Sequence, residues 1–130
     1  MSVTAPYGSW HTPVTAAAVA ASAARILELR VDGDDVLWAE SRPAEAGRVQ
    51  LVRSRAGDRV GELLPDGWSA RTSVHEYGGA GWWVRGGVVW FVNWADQRVY
   101  RMADGTAPVP LTPEPSVPRG DRYARSEELV

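Results

Sequence analysis

The chain contains two similar runs of alternating apolar residues, and this internal repeat constrains its fold more than any other feature. Val84–Trp90 matches Val31–Trp38 with one deletion, and Arg98–Val99 matches Arg48–Val49. The runs lie about fifty residues apart, and repeats of that length built from four short strands are typical of β-propeller blades. The sequence therefore predicts an all-β fold with about two four-stranded blades, too few to close a ring that typically takes about four to eight.

The first predicted blade opens with a strand in which side chains alternate in character. Leu27, Leu29 and Val31 share one face of the extended chain, whereas Glu28 and Arg30 share the other. This period of two is typical of a half-buried strand. The apolar runs and the turn residues between them predict an antiparallel meander with strands at Ile26–Val31, Val36–Glu40, Arg48–Arg53 and Val60–Leu64.

Turn residues and composition divide the chain into four parts. The Gly and Asp residues of Asp32–Asp35 tolerate the left-handed backbone that a tight hairpin needs. Thr15–Ala24 has a Thr that can cap a helix, followed by strong helix formers, and so predicts one short N-terminal helix. We expect a lead-in at residues 1–25, a first blade at 26–66, a second blade at 67–115 and a polar tail at 116–130 toward an absent third blade.

Composition excludes several classes of protein. A net charge of -2 gives no electrostatic reason to expect nucleic acid or an anionic membrane as a partner. The absence of Cys excludes disulfide scaffolds, thiolate zinc sites and Cys nucleophiles. With His11 and His75 as the only histidines, no spacing suggests a metal site, and we expect no cofactor. No secretory signal or membrane span is evident, so we expect a cytoplasmic protein.

Four segments of the chain carry a family resemblance. They are Tyr7–Trp10, Glu40–Arg48, Asn93–Arg101, and Arg71–Gly79, which reads Arg-Thr-Ser-Val-His-Glu-Tyr-Gly-Gly. Together they resemble the N-terminal propeller of prolyl-oligopeptidase-like (S9) serine peptidases, the acylaminoacyl-peptidase and dipeptidyl-peptidase group. The resemblance runs over roughly Pro6 to Tyr123, and it implies that the catalytic half of such an enzyme lies beyond Val130.

The resemblance implies a function for a parent protein and a role for this chain. Such peptidases use a Ser in a Gly-x-Ser-x-Gly elbow, with Asp and His, on an α/β-hydrolase domain, and no such elbow occurs here. The parent would cleave short peptides or remove a residue from a blocked or free N-terminus, while its propeller excludes large substrates. This chain would be non-catalytic by itself. Its partners would be the missing blades and the hydrolase domain, on the same or a separate polypeptide.

The Arg71–Gly79 segment holds the candidate site. His75, Glu76 and Tyr77 could line a channel and contact the terminus of a peptide substrate, next to two glycines, Gly78 and Gly79, that permit an unusual backbone turn. On an extended chain, however, adjacent side chains point to opposite faces, so the first two would not act on one atom. Guided by the resemblance, we favour a connection between blades with a hydrogen-bonded His.

Four tryptophans, Trp82, Trp83, Trp90 and Trp94, lie in one short region. Exposed Trp side chains can form a platform on which a ligand stacks. Inside a blade, Trp82 and Trp90 would instead fill the gap between sheets, and we favour this core role.

Asp96 and Arg98 could belong to a polar binding loop, yet Asn93–Gln97 is where a hairpin between adjacent strands belongs, because Asn and Asp form turns. The S9 family carries a similar Asp-Gln-Arg followed by an apolar residue and Tyr. We therefore favour a structural turn held by an Asp-to-Arg pair.

A non-catalytic binding module is the strongest alternative function. A two-blade unit leaves sheet faces and strand edges exposed, so the blades could assemble with another chain or with copies of themselves, and the Trp cluster could recognise a ligand. This alternative predicts a soluble oligomer of defined stoichiometry, whereas a fragment of a larger protein would aggregate or stay loosely packed when made alone. A metal-dependent enzyme that uses His11, His75 and acidic residues is a third class, and stabilisation by zinc would test it.

Overall fold

A computed structural model of the protein describes residues 4, 6, 8–9, 15, 17–18, 24–55, 61–73 and 81–114. In these residues the chain forms two four-stranded antiparallel sheets, each with its strands in sequence order. The first sheet contains β1 (Arg25–Asp32), β2 (Asp35–Arg42), β3 (Arg48–Arg55) and β4 (Gly61–Glu62), with a 3-10 turn at Pro43–Glu45. The second contains β5 (Trp82–Arg85), β6 (Val88–Val92), β7 (Val99–Ala103) and β8 (Val109–Pro110). This arrangement confirms the predicted all-β, two-blade fold, while the proposed blade boundaries stay predictions.

The inner hairpins of the two sheets have the same register. Asp32 pairs with Asp35 across a two-residue turn, and Arg85 pairs with Val88 across another. Each turn begins with a glycine of positive φ, at 61° and 58°. The one-residue deletion in the sequence alignment was therefore wrong. The alignment matched apolar residues to each other and skipped Asp35. In the second sheet Val88 holds the position that corresponds to Asp35.

The core lies between the facing sides of the two sheets. Leu37 from the first sheet and Trp82 and Phe91 from the second are each at most 2 % exposed. Trp68, in the connection between the sheets, packs edge-on against Phe91 and Tyr100, with ring centroids 5.9 and 4.7 Å apart. The other members are Ala39, Val49, Leu51, Leu64, Ala70, Val84, Val89 and Met102. Burial of a side chain such as Leu37 or Phe91 contributes about 1.5–3 kcal/mol, so this shared core is the main force that joins the sheets.

β1 alternates as predicted, but the covered face is the charged one. Leu27, Leu29 and Val31 are 51 %, 61 % and 65 % exposed. Glu28 and Arg30 are half-buried and lie on the side that meets the second sheet. The usual assignment of the apolar face to the core was therefore wrong for this strand. A period of two shows which residues share a face, but it does not show which neighbour each face meets.

The guanidinium of Arg30 explains how a charged face is tolerated between the sheets. It lies 4.3 Å from the ring centroid of Trp83 and 5.1 Å from that of Trp82, within cation–π distance of both. Its Nη2 also contacts Oε2 of Glu28 at 3.1 Å. The positive charge is thus balanced by aromatic faces and a carboxylate.

Two polar contacts also join the sheets. The carboxylate of Asp32 accepts hydrogen bonds from the backbone N–H groups of Gly86 and Gly87, at 2.9 and 2.7 Å. Nη2 of Arg53, on β3, donates to Oδ1 of Asp104 at 2.8 Å. Both contacts lie at the end of the sheets that carries the inner hairpin turns, so they fix that end of the interface.

Near the N-terminus, Oγ1 of Thr15 accepts a hydrogen bond from the backbone N–H of Ala18 at 3.0 Å. Ala17 and Ala18 have helical backbone, and the bond has the spacing of the predicted helix cap. Most of the predicted helix at Thr15–Ala24 lies outside the described residues. In the part of the chain that the structure describes, no helix is long and apolar enough to cross a membrane.

Candidate functional site

The candidate substrate contacts His75, Glu76 and Tyr77, together with Gly78 and Gly79, lie outside the described residues. The channel-lining interpretation and the blade-connection interpretation both stay predictions. The two histidines are among the residues that the structure does not describe, and within the described ranges no group of three or more His, Cys, Asp or Glu side chains could hold a metal ion.

The chain on either side of that segment is fixed at one end of the second sheet. Ser73 donates from its backbone N–H and its hydroxyl to Oε1 of Gln97, each at 2.9 Å. The backbone of Val92 donates to the carbonyl of Gly81 at 2.8 Å and accepts from the N–H of Arg71 at 3.0 Å. The segment of residues 74–80 therefore leaves and rejoins the described chain beside the β6–β7 turn.

Asp96 organises the β6–β7 turn as a hydrogen-bond acceptor. Its Oδ1 accepts from Nδ2 of Asn93 at 3.3 Å and from the backbone N–H of Arg98 at 3.2 Å. Its Oδ2 accepts from the hydroxyl of Tyr100 at 2.5 Å. Gln97, which has a positive φ of 54°, donates from Nε2 to the carbonyl of Trp94 at 2.9 Å. The turn expected in this region is present, and one carboxylate holds it together.

The guanidinium of Arg98 is directed elsewhere. Its Nε donates to the carbonyl of Thr112 at 2.8 Å, and its Nη1 lies 3.9 Å from Oε1 of Glu114. Among the described contacts Asp96 therefore meets the backbone of Arg98 and not its side chain, in contrast to the expected Asp-to-Arg pair. The guanidinium ties the chain after β8 back to the turn that precedes β7.

Tyr100 is a buried phenol that acts as a donor. It is 6 % exposed, and its ring stacks on that of Phe91 with centroids 5.8 Å apart. Burial, and then the hydrogen bond to the Asp96 carboxylate, raise the pKa of Tyr100 from its ordinary 10.0 to about 12. The phenol therefore keeps its proton at neutral pH, and it cannot act as a base there.

The Trp cluster is divided among different environments. Trp82 lies in the core between the sheets, as expected. Trp90 precedes the buried Phe91 on β6, so it points to the opposite face, away from the first sheet, and does not fill the gap between the two. Trp94 is 42 % exposed, and the guanidinium of Arg71 lies 4.2 Å from its ring centroid. The favoured core role therefore holds for one residue and not for the cluster as a whole.

The β2–β3 connection, one of the segments that carry the family resemblance, contains an ion-pair network. Arg42 contacts Glu40 at 2.9 Å, Glu45 at 3.3 Å and Glu62 at 2.6 Å. Arg48 contacts Glu45 at 2.7 Å and donates to three carbonyl oxygens of the chain after β4. Hydrogen bonds from Arg42 lower the pKa of Glu62, and those from Arg48 lower that of Glu45. These acids are thus ionised and paired, which suits a structural role.

Gln50 is a fully buried side chain that the sequence analysis did not single out. Its Nε2 donates to the carbonyl of Leu64 at 3.0 Å and to Oε2 of Glu62 at 3.2 Å. Its Oε1 accepts from the backbone N–H groups of Leu51 and Leu64, both at 2.9 Å. The side chain therefore uses both its donors and its acceptor to attach the chain after β4 to β3. An amide inside an otherwise apolar run was the available signal.

A cavity of about 270 Å³ lies between the sheets, beside the inner hairpin turns. Asp35, in its wall, accepts a bidentate pair of hydrogen bonds from Arg55 at 2.8 and 2.9 Å. These bonds, and then the charge of Arg53, lower the pKa of Asp35. Asp104 is paired with Arg53. Each of these two carboxylates is balanced by a guanidinium, which suits a structural role.

Comparison with known proteins places this arrangement in a family. No family model and no curated protein matches the chain. It is similar to the structure of a Mycobacterium tuberculosis puromycin-hydrolyzing peptidase, with 47 % identity over 95 % of this chain and a TM-score of 0.76. It is also similar to a puromycin hydrolase, alone and as a Ser-to-Ala mutant complexed with PGG, with 41 % identity over 88 % of this chain and a TM-score of 0.73 for each. The chain belongs to the S9 peptidase family.

This S9 propeller segment spans only 20 % and 19 % of the solved chains that it matches. The family predicted from the sequence is thus confirmed. The segments that suggested it and that the structure describes in full are the β2–β3 connection, with its ion pairs, and the β6–β7 turn, with its central Asp. In this chain both segments stabilise blades.

Proposed function

We propose that this chain forms part of a propeller that caps the α/β-hydrolase domain of a serine peptidase and limits which substrates reach it. The observation that supports this role is the 47 % identity to a puromycin-hydrolyzing peptidase over 95 % of the chain. In this proposal the Ser, Asp and His of the catalytic triad lie on the hydrolase domain. The substrates are short peptides with a blocked or free N-terminus, as in the acylaminoacyl-peptidase and dipeptidyl-peptidase group.

The described geometry is compatible with a rigid wall at the entrance to a catalytic chamber. At the cavity between the sheets the carboxylates of Asp35 and Asp104 are paired with guanidinium groups, and Tyr100 stays protonated at neutral pH. The residues proposed to contact substrate, His75, Glu76 and Tyr77, belong to the segment that leaves the described chain at Ser73. We place this segment on the side of the propeller that faces the hydrolase domain.

A chimera tests the access role. This chain would replace the matching segment of the Mycobacterium tuberculosis peptidase, and hydrolysis would be measured on peptides of increasing length. We expect the chimera to hydrolyse short peptides and to reject long ones. Alanine at His75, Glu76 and Tyr77 should then change the length at which hydrolysis falls, whereas a control substitution at the exposed Asp66 should not. An active chimera whose length profile is the same in all variants and in a form without the segment would contradict the proposal.

Assembly with copies of itself is a second candidate, favoured by the equal register of the two inner hairpins. Asp32 of the first hairpin binds the Gly86–Gly87 turn of the second. On the second hairpin Arg85 holds the position that corresponds to Asp32, and on the first hairpin Gly33–Asp34 is the corresponding turn. If another copy packed its first sheet on the open face of the second sheet, Arg85 would therefore meet Asp34, which has the opposite charge.

Sedimentation of the purified chain distinguishes this candidate from the first. A discrete oligomer that dissociates in Arg85→Asp and reforms when Asp34→Arg is added would support assembly through equivalent sheet faces. A monomer at all concentrations, or an oligomer that ignores both charge changes, would contradict it. Neither result would alter the chimera test of the access role.

A further inference from the structure

Gln97, in the β6–β7 turn, has an unfavourable backbone conformation for its residue type. Among the described residues it and Ala46 are the two that carry a side chain at a positive φ, of 54° and 55°. This left-handed backbone disfavours residues with a Cβ, and Gly or Asn would adopt it more readily. Such strain persists where the surrounding structure holds it in place, so the Gln side chain calls for a role that Gly could not fill.

The side chain of Gln97 joins two parts of the chain that lie 24 residues apart. Its Oε1 accepts hydrogen bonds from the backbone N–H and the hydroxyl of Ser73, each at 2.9 Å. Its Nε2 donates to the carbonyl of Trp94 in its own turn, also at 2.9 Å. The bonds to Ser73 are partly buried, which strengthens them relative to bonds in water. A carboxylate in place of this amide could accept from Ser73 but could not donate to Trp94.

Other contacts between the same two parts of the chain lie before Ser73. The backbone N–H of Trp94 donates to the carbonyl of Ser69 at 2.9 Å, and the guanidinium of Arg71 lies 4.2 Å from the ring centroid of Trp94. The backbone bond can form with many side chains at these positions. The contact at Ser73, where the described chain ends before the proposed substrate contacts, depends on a side chain of one length. The position of the chain at this point is therefore set by Gln97.

We propose that Gln97 is a positioning residue for substrate access, because by holding Ser73 on the β6–β7 turn it sets where the chain enters the proposed contacts. This inference rests on the access role proposed above. In this role Gln97 acts through Ser73 and not on the substrate. Ser73 belongs to the Arg71–Gly79 segment and Gln97 to the Asn93–Arg101 segment, so their hydrogen bonds also join two of the segments that carry the family resemblance.

The substitution Gln97→Asn separates the reach of the side chain from the strain of the backbone. Asn tolerates the left-handed conformation better than Gln, but its side chain is one methylene shorter and should not reach Ser73. In the 130-residue chain we expect hydrogen exchange of the Ser73 backbone N–H, followed by NMR, to become about tenfold faster in this variant. The N–H of Ala103, which donates to Oγ1 of Thr106 at 3.1 Å in the β7–β8 turn, is the matched control and should exchange at an unchanged rate.

The chimera with the Mycobacterium tuberculosis peptidase gives the functional readout. We expect Gln97→Asn to raise the KM for a short peptide about two- to tenfold, with a smaller change in kcat, because the substrate contacts are displaced while the triad is not. Ser73→Ala removes the hydroxyl and keeps the backbone N–H, so it should raise the KM less. The double variant should match Gln97→Asn alone, since both substitutions break the same contact.

Three results overturn the positioning role while the access role stands. The first is fast exchange of the Ser73 N–H in the unsubstituted chain, or an equal rate in Gln97→Asn, since the contact would then not hold the chain. The second is a chimera whose KM is unchanged by Gln97→Asn but is changed by alanine at His75, Glu76 and Tyr77. The third is a double variant in which the effects of Ser73→Ala and Gln97→Asn add. If none of these substitutions changes the KM or the length profile, the access role fails as well, and the positioning role fails with it.

Discussion

Arg53 on the first sheet and Asp104 on the second are joined by a hydrogen-bonded ion pair of 2.8 Å, and among the described residues this is the ion pair that spans the two sheets. Asp104 is 55 % exposed at its side chain, so solvent screens the pair. We expect Asp104→Asn to lower the free energy of unfolding by about 0.2–1 kcal/mol, measured by urea denaturation at low salt.

The pH dependence of this pair gives a second readout. The hydrogen bond from Arg53 lowers the pKa of Asp104 below its ordinary 3.8. Its stabilisation is therefore fully present above that value and is lost as pH falls through the lowered pKa. Asp104→Asn should flatten the acid limb of the stability curve, whereas Asp66→Asn, at an exposed loop position, should leave it unchanged. Equal effects of the two substitutions would show that the pair contributes nothing specific.

Asp32 should be the more important polar link, because its carboxylate receives two backbone N–H groups from the second sheet, at 2.9 and 2.7 Å. Replacing it with Ala leaves both donors to water, and we expect a loss of about 1.5–3 kcal/mol in thermal or urea unfolding. Asp34→Ala, in the same turn, is the matched control and should cost less. If both variants were equally stable, the contact between turn and carboxylate would not hold the sheets together.

Leu29 on β1 and Leu37 on β2 are the same residue type in opposite environments, so the two together test which face of β1 is covered. Leu29 is 61 % exposed and Leu37 is 2 % exposed, although the sequence pattern places both on strands of the same sheet. We expect Leu37→Ala to cost about 2–5 kcal/mol and Leu29→Ala to remain within about 0.5 kcal/mol. Urea unfolding of the two variants at one protein concentration checks this. A large loss from Leu29→Ala that grows on dilution would instead indicate that another copy covers the face.

Tyr100 gives the chain an alkaline limit. The unfolded state releases this proton near pH 10, whereas the folded state keeps it until about pH 12. The preference for the neutral form is therefore present below pH 10 and is lost as pH rises through this window. We expect the stability of the chain to fall above pH 10 and the fall to be smaller in Tyr100→Phe. Tyrosinate absorbance should show one phenol that titrates late, and its absence would contradict the burial of this side chain.

Local features of the fold were predictable because short patterns decide them. The Gly and Asp residues at Asp32–Asp35 and the Asn and Asp residues at Asn93–Gln97 form turns in any sheet, and both turns are present. The face that each strand presents to its neighbour was not predictable, since Arg30 lies in the interface with Trp82 and Trp83 opposite it. That information resides in β5, more than fifty residues away in the chain.

The candidate sites, too, were only partly predictable from the sequence. A family motif directed attention to the His75 segment, yet the features that the structure adds are an amide and an indole inside apolar runs. Gln50 is satisfied by four hydrogen bonds, and Trp82 is buried in the core. Both follow the strand pattern of their neighbours, so the sequence alone could not show that one fastens a strand and that the other keeps a buried donor without a partner among the described residues.

In both sheets each strand pairs with the next one along the chain, and this has a consequence for how the protein is made. The partners of the first sheet all lie between Arg25 and Glu62, so it needs no residue of the second to complete its ladders. Contacts of such short sequence separation form quickly, and the N-terminal part of a chain leaves the ribosome first. The first sheet can therefore close during translation and serve as the template on which Trp82 and Phe91 dock when they emerge.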